Sequence, residues 1–172
     1  MTGVGGTGAI HVLAPARWGD LASCEGRYTT YADKEKTQKF ITHELTHVFH
    51  GQARRKHNLD MANDISWFAE GLATYVSGQL TPSDIHDVQN AVQARTVPGS
   101  LNGIATFDSI LLRYNMMGSL AMYIDRISGR AKLESLMQFD SQKEILSNLG
   151  VTEQQFLDGW KLFMLQSAGM AR

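Results

Sequence analysis

The spacing of apolar residues from position 34 onward is the feature that most constrains the fold of this 172-residue chain. Over residues 34 to about 56, apolar side chains recur every three or four positions, at Phe40, Ile41, Leu45, Val48 and Phe49. This spacing is typical of an amphipathic α-helix that turns one side toward a core. It therefore predicts a long helix over the segment.

Start and stop signals predict that most of the remaining chain is also helical. Helices tend to begin after Asp, Ser or Thr and to end at Gly. The segment 97–106 contains one proline and two glycines and is predicted to be a loop. The predicted helices are 65 to about 77 with Asp64 as its cap and Gly78 as its stop, 81 to about 95 opened by Thr81-Pro82-Ser83-Asp84, the helix capped by Asp108 that runs to Ser128 and ends at Gly129, and then 130–139, 141–148 and 152–166.

Strand-like sequence is confined to the first third of the chain. AIHVLAP at positions 9–15 reads as a short strand closed by proline, and GRYTTYA at 26–32 reads as a weaker one. We therefore expect an α+β fold that is mostly helical and carries a small N-terminal β-sheet. The length suits one domain with a core of its own.

Composition excludes several classes of protein. Hydrophobic residues make up 43% and charged residues 19%, which is an ordinary globular balance. Sixteen basic and seventeen acidic residues nearly cancel, so nothing points to nucleic acid. No apolar run approaches the roughly 20 residues that span a bilayer, so we expect no membrane span.

The single cysteine, Cys24, excludes an internal disulfide framework. The N-terminal residues lack the basic start and long apolar stretch of a signal peptide. These features fit a cytoplasmic protein, and equally the mature or excised part of a secreted one.

The stretch HELTHVFHGQ at positions 43–52 carries the strongest chemical signal. His43 and His47 are four residues apart, so a helix places them one turn apart on one face, where both rings can reach one metal ion. Glu44 is turned about 100° from His43 and would stand beside that ion as a base for water. This is the reason for the spacing of the zinc motif HExxH.

A hydrolytic zinc ion usually takes a third protein ligand. A histidine six residues after His47 would complete a longer zinc motif, but that position is Ala53. His50 and His57 are candidates that we expect to be surface residues near a helix end, where positive charge is favoured. Glu70 in SWFAEGLATYVSG is the better candidate, because a carboxylate among apolar neighbours needs a partner when it is buried.

HELTHVFHGQ followed by WFAEGLATYVSG resembles the gluzincin clan of zinc metallopeptidases, in particular its peptidase-MA-like families. The resemblance covers residues 40–78, with a weaker echo at 114–129. It implies Zn²⁺ as cofactor, His43, His47 and Glu70 as metal ligands, and Glu44 as general base. It also implies one zincin-like domain over 1–172, with a small sheet region at 1–33, zinc-binding helices at 34–80 and a helical C-terminal part at 81–172.

The same resemblance implies hydrolysis of peptide bonds by a zinc-activated water, with a peptide or protein as substrate and an endopeptidase as the favoured type. Tyr114 is the expected donor to the developing oxyanion, and Thr74 is expected to support the ligands from outside. The alternative is a latent proenzyme or a gluzincin-like module that only binds. The intact Glu44 argues against a site without chemistry, because binding alone has no need of that base.

Overall fold

The computed structural model describes residues 3–5, 10–12, 34–54 and 64–167. Two short strands come first, and helices form nearly all the rest. In chain order these elements are β1 (Gly3–Gly5), β2 (Ile10–Val12), α1 (Lys34–Ala53), α2 (Ser66–Val76), α3 (Pro82–Gln93), α4 (Leu101–Ala105), α5 (Ile110–Ser128), α6 (Arg130–Ser135), a 3-10 turn (Leu136–Gln138), α7 (Gln142–Leu149) and α8 (Glu153–Ser167).

The predicted α+β class is wrong, because the fold is all-α. Residues 34–54 and 64–167 are 79% helical and contain no strand. β1 and β2 form only a two-stranded antiparallel ribbon of three residues each, with Gly3 opposite Val12. Such a ribbon is too small to form a layer of the core, which needs more strands with an apolar face. β2 falls inside the predicted strand 9–15, and the predicted strand 26–32 lies outside the described residues.

α5 is the central helix, because α2, α3, α4, α6 and α8 all pack against it. Its side chains supply much of the apolar core, and α2 meets it most extensively. Fully buried core residues from these helices include Phe68, Met116, Leu120, Ile124, Leu157 and Trp160. Because α2 also lies against α1, it connects the predicted zinc helix to the core of the molecule.

The close packing of α2 on α5 requires a glycine at position 71. A Cβ atom placed there would overlap the backbone carbonyl oxygen of Met117. The missing side chain therefore lets the two helix backbones approach closely. Gly71 directly follows Glu70. The contact of α2 with α5 at Gly71 therefore also fixes where Glu70 lies relative to α5.

Two of the predicted helix boundaries are confirmed by their capping contacts. Thr81 caps α3 with its hydroxyl, which accepts a hydrogen bond from the backbone N–H of Asp84. The Asp84 carboxylate in turn accepts from the backbone N–H of Thr81 at 2.9 Å, which completes a capping box. α5 ends at Gly129, as its sequence predicts.

Three other local predictions are wrong. Ser109, rather than Asp108, caps α5, because its hydroxyl accepts from the N–H of Leu112. Asp64 does not cap α2, since its carboxylate accepts instead from the backbone N–H of Gln142, 3.2 Å away. The predicted loop at 97–106 contains the short helix α4, which the hydroxyl of Ser100 caps.

The end of α1 and the start of α2 both contact the stretch of chain at the start of α7. At the end of α1, the buried Arg54 donates to the carboxylate of Asp140 at 2.9 Å. At the start of α2, Asp64 accepts from the backbone of Gln142. Two helices joined by a long connection are therefore tied to one short stretch of chain. No helix in the described part of the chain is both long and apolar enough to cross a bilayer.

We predict that Gly71→Ala destabilises the protein by about 1–3 kcal/mol. Alanine normally favours a helix over glycine, but here its methyl group would force α2 away from Met117. Urea denaturation of both proteins measures the difference in the free energy of unfolding. Gly99→Ala is the matched control, because a Cβ there meets nothing within 4 Å. Equal stability of Gly71→Ala and wild type would contradict the close approach.

Candidate metal centre

α1 contributes two imidazole rings to the centre. His43 and His47 lie on the face of α1 that turns toward α2, and both are buried. Their Nε2 atoms are 3.1 Å apart, and the rings meet edge to face. The helical repeat places side chains four residues apart on one face, which is why the sequence spacing becomes this pair.

α2 contributes the third side chain. Oε2 of Glu70 lies 3.3 Å from Nε2 of His43 and 3.5 Å from Nε2 of His47. The three side chains form a group that could hold a metal ion, with ligand atoms all within 4.8 Å of one another. The structure thus brings together the three residues that the sequence singles out as ligands.

The spacing of the three atoms suits a small tetrahedral ion. Nitrogen and oxygen ligands about 2.0–2.2 Å from a tetrahedral zinc ion lie about 3.3–3.6 Å from one another. The three measured separations run from 3.1 to 3.5 Å. The side chains of Glu70 and His43 remain 14% and 10% exposed, so solvent can reach the centre. The donor set therefore fits Zn²⁺, with separations close to those of a tetrahedral site.

Charge at the centre is arranged to hold a cation. Burial alone would raise the pKa of Glu70, but its close contacts with the rings of His43 and His47 outweigh burial and lower that pKa to about 2. Burial also opposes protonation of His47, yet its contacts with Glu70 and the charge of Glu44 raise the pKa of its ring. A metal ion would replace the proton as the partner of this carboxylate.

Glu44 and Tyr114 lie beside the three ligands. Glu44 is buried next to His43 on α1, and its charge contributes to the raised pKa of His47. It is not a member of the group that could hold a metal ion. The ring of Tyr114, at the start of α5, is centred 6.3 Å from the ring of His43.

Thr74 does not act as the sequence predicts. It is buried, but its hydroxyl oxygen makes no hydrogen bond. Its methyl group instead packs close to Gly118 of α5. Thr74 therefore fills the contact between α2 and α5 rather than orienting a ligand.

Gln79 is a contact of the centre that the sequence does not reveal. Its side-chain oxygen lies 2.9 Å from Nδ1 of His43, on the opposite side of the ring from the ligand atom. Gln79 is 36 positions from its partner and belongs to no periodic pattern. The one signal in the sequence is the predicted helix stop at Gly78. It indicates that the chain turns there but not which part of the molecule it turns toward.

Comparison of the chain with protein-family models finds no match. Searches of curated proteins and of solved structures find none either. The chemistry of the centre is therefore inferred from its own donor atoms, their spacing and their charges.

His50 is fully buried, so the prediction of a surface histidine is wrong; His57 lies outside the described residues. The ring of His50 meets the ring of Phe68 edge to face, and neither nitrogen of the His50 ring has a hydrogen-bond partner. The nearby Arg54 is buried too, against Asp140. Burial, with the positive charge of Arg54 and His47, lowers the pKa of His50 to about 4.

We predict that this buried ring makes the stability of the protein depend on pH. The folded chain excludes a proton from His50 between pH 6.5 and about 4, whereas the unfolded chain binds it. Stability should therefore fall as pH is lowered through this window, by up to about 3 kcal/mol from this group alone. Urea denaturation of the metal-free protein at pH 7 and pH 4 measures the effect.

His50→Leu is the informative variant, because it removes the titrating ring and leaves an apolar side chain in an apolar site. The free energy of unfolding of His50→Leu minus that of wild type should be larger at pH 4 than at pH 7. Parallel curves for the two proteins over this range would contradict the assignment of His50 as a buried neutral ring.

Proposed function

We propose that this protein is a zinc-dependent metallopeptidase of the gluzincin type. The observation that carries the proposal is the convergence of Nε2 of His43, Nε2 of His47 and Oε2 of Glu70 from two helices. Glu44 lies beside this group without joining it. Three ligands and an adjacent free carboxylate are what hydrolysis by a metal-activated water requires.

Zinc is the metal that the surroundings favour. Two imidazoles and one carboxylate can also hold iron(II) in oxygenases, so the donor set alone does not select the ion. A second carboxylate beside the ligands suits a reaction that moves protons between water and substrate. Glu44 thus favours hydrolysis over oxygen chemistry, and the sequence HELTH is the zinc motif.

A bound zinc ion supplies Lewis-acid chemistry, lowering the pKa of water and polarising the scissile carbonyl. The carboxylate of Glu44 accepts the proton of the attacking water and later delivers it to the leaving nitrogen. Tyr114, whose ring lies next to His43, donates its hydroxyl hydrogen to the oxygen on which negative charge develops. Burial of the ligands strengthens each of these interactions, because little water screens them.

The substrate is a peptide or protein, and an endopeptidase is the favoured type. An aminopeptidase needs acidic side chains to hold the free amine of its substrate, and the sequence carries no distinct motif for them. The alternative is a latent or non-catalytic relative of the clan. The presence of Glu44 supports the enzyme, since binding of an ion alone requires only the three ligands.

We expect purified wild-type protein to contain zinc and to cleave a peptide library. Glu44→Gln should keep its zinc and lose about 10²–10⁴-fold in kcat, because the base is lost while the ligands remain. Elemental analysis measures the metal, and mass spectrometry of the digested peptides measures cleavage. Glu35→Gln is the matched control, because Glu35 lies on the same helix but its side chain is 75% exposed.

Glu70→Gln separates the roles of the two carboxylates. It should lose both zinc and cleavage, because a neutral amide is a weak substitute for a charged ligand. Cleavage by Glu44→Gln at the wild-type rate would contradict the proposed base. If wild type and all the variants contain zinc and none of them cleaves peptides, the latent or binding alternative is favoured. Iron in place of zinc would contradict the peptidase.

A further inference from the structure

We propose that Gln79 is a positioning residue of the metal centre. Its side-chain oxygen accepts a hydrogen bond from Nδ1 of His43, which leaves Nε2 of that ring free to bind the ion. The inference rests on the metal site of the proposed function, but not on peptide cleavage.

The contact between Gln79 and His43 indicates which ring nitrogen of His43 carries the proton. Oε1 of Gln79 is 2.9 Å from Nδ1 of His43, and an amide oxygen can only accept. With the amide oxygen facing the ring, we place the hydrogen of His43 on Nδ1. A neutral imidazole has a single ring proton, so Nε2 then presents its lone pair. Nε2 lies 3.3 Å from Oε2 of Glu70, so its lone pair is on the side of the ring where the ion would bind.

The end of α2 explains how Gln79 reaches α1. Gly78 adopts a left-handed backbone with φ of 72°, which glycine allows without strain. The N–H of Gly78 bonds the carbonyl of Tyr75, and the N–H of Gln79 bonds the carbonyl of Thr74. This is the Schellman motif, which ends a helix and turns the chain sharply aside. A Cβ on Gly78 would lie 3.7 Å from Cε of Lys39, so the turn lies against α1 one helical turn before His43.

The chain after Gln79 is also fixed in place. Thr81, two residues later, forms the capping box of α3 with Asp84. The other carboxylate oxygen of Asp84 accepts from the side-chain amide of Asn115 at 3.0 Å, and Asn115 is buried in α5. The short connection that carries Gln79 is thus held by α2 at one end and by α3 and α5 at the other.

A positioned acceptor has a direct consequence for metal binding. If the proton of His43 were on Nε2, that atom would point an N–H at the ion instead of a lone pair. Residues that hold the non-ligating nitrogen of a metal-bound histidine typically contribute 10–100-fold to metal affinity. Gln79 does this as a neutral amide, so it adds no charge to a centre that already contains two carboxylates.

Gln79→Met tests the role, because methionine has a similar length and cannot accept the proton of His43 effectively. Gln79→Glu restores an oxygen acceptor at nearly the same place. Gln93→Met is the matched control, since Gln93 is an exposed glutamine at the end of α3. All three are compared with wild type as full chains, and the thermal stability of each metal-free protein is measured.

The first measurement is the tautomer of His43 in the metal-free protein, read from the ring nitrogen shifts by NMR. The second is the affinity for Zn²⁺ by competition with a chelator of known strength. We expect wild type, Gln79→Glu and Gln93→Met to hold the proton on Nδ1, and Gln79→Met to lose that preference. Gln79→Met should bind Zn²⁺ 10–100-fold more weakly, and Gln79→Glu should bind at least as tightly as wild type.

An unchanged tautomer together with wild-type Zn²⁺ affinity in Gln79→Met would overturn the proposal. Equal weakening in Gln79→Met and Gln79→Glu would also overturn it, because the loss would then follow from packing rather than from the acceptor. If wild type binds no Zn²⁺, the proposed function fails. The tautomer of His43 would still report whether Gln79 holds that ring, so the two failures remain distinguishable.

Discussion

The contact between a mostly buried carboxylate, that of Glu70, and two imidazole rings is the interaction on which the rest of the site depends. Glu70 supplies the third of the converging donor atoms, and its low pKa keeps it charged among the apolar residues of α2. An isolated charge in such a place is costly unless a cation or a hydrogen-bond donor offsets it. His47 offsets it through a hydrogen bond that raises the pKa of its own ring, and a divalent ion would offset it more completely while retaining both rings as neutral ligands.

The surrounding packing holds the two ligand-bearing helices at the distance that this interaction needs. Gly71 lets α2 approach α5 directly beside Glu70. The buried pair of Arg54 and Asp140 fixes the end of α1, a few residues after His47. Breaking a buried ion pair of this kind leaves an unpaired charge and typically costs about 3–5 kcal/mol. The core and the centre are thus parts of one arrangement, because contacts far from the ligands determine whether the ligands meet.

The sequence predicts what depends on short-range pattern. The pair His43 and His47 follows from helical spacing, and the approach of Glu70 follows from a second helix next along the chain. The start of a helix at Thr81 was likewise predictable from the sequence. The all-α class was not, because strand-like segments near the N-terminus indicate local propensity but not whether a sheet becomes a layer.

Contacts between distant positions were beyond the reach of these patterns. His50 precedes a run of charged and polar residues at the end of a helix, and only the packed structure places its ring against Phe68. Gln79 meets His43 because a left-handed glycine turns the chain at the end of α2. Nothing in the spacing of residues specifies the direction of such a turn relative to another helix.

X-ray absorption at the zinc edge, on the full chain loaded with one equivalent of Zn²⁺, tests the convergence of the three ligands most directly. The account predicts a first shell of nitrogen and oxygen at about 2.0–2.2 Å, with the outer-shell scattering of two imidazole rings. Replacing either His43 or His47 by alanine should reduce that imidazole signal by about half. A shell without imidazole scattering, or one that neither replacement alters, would contradict it.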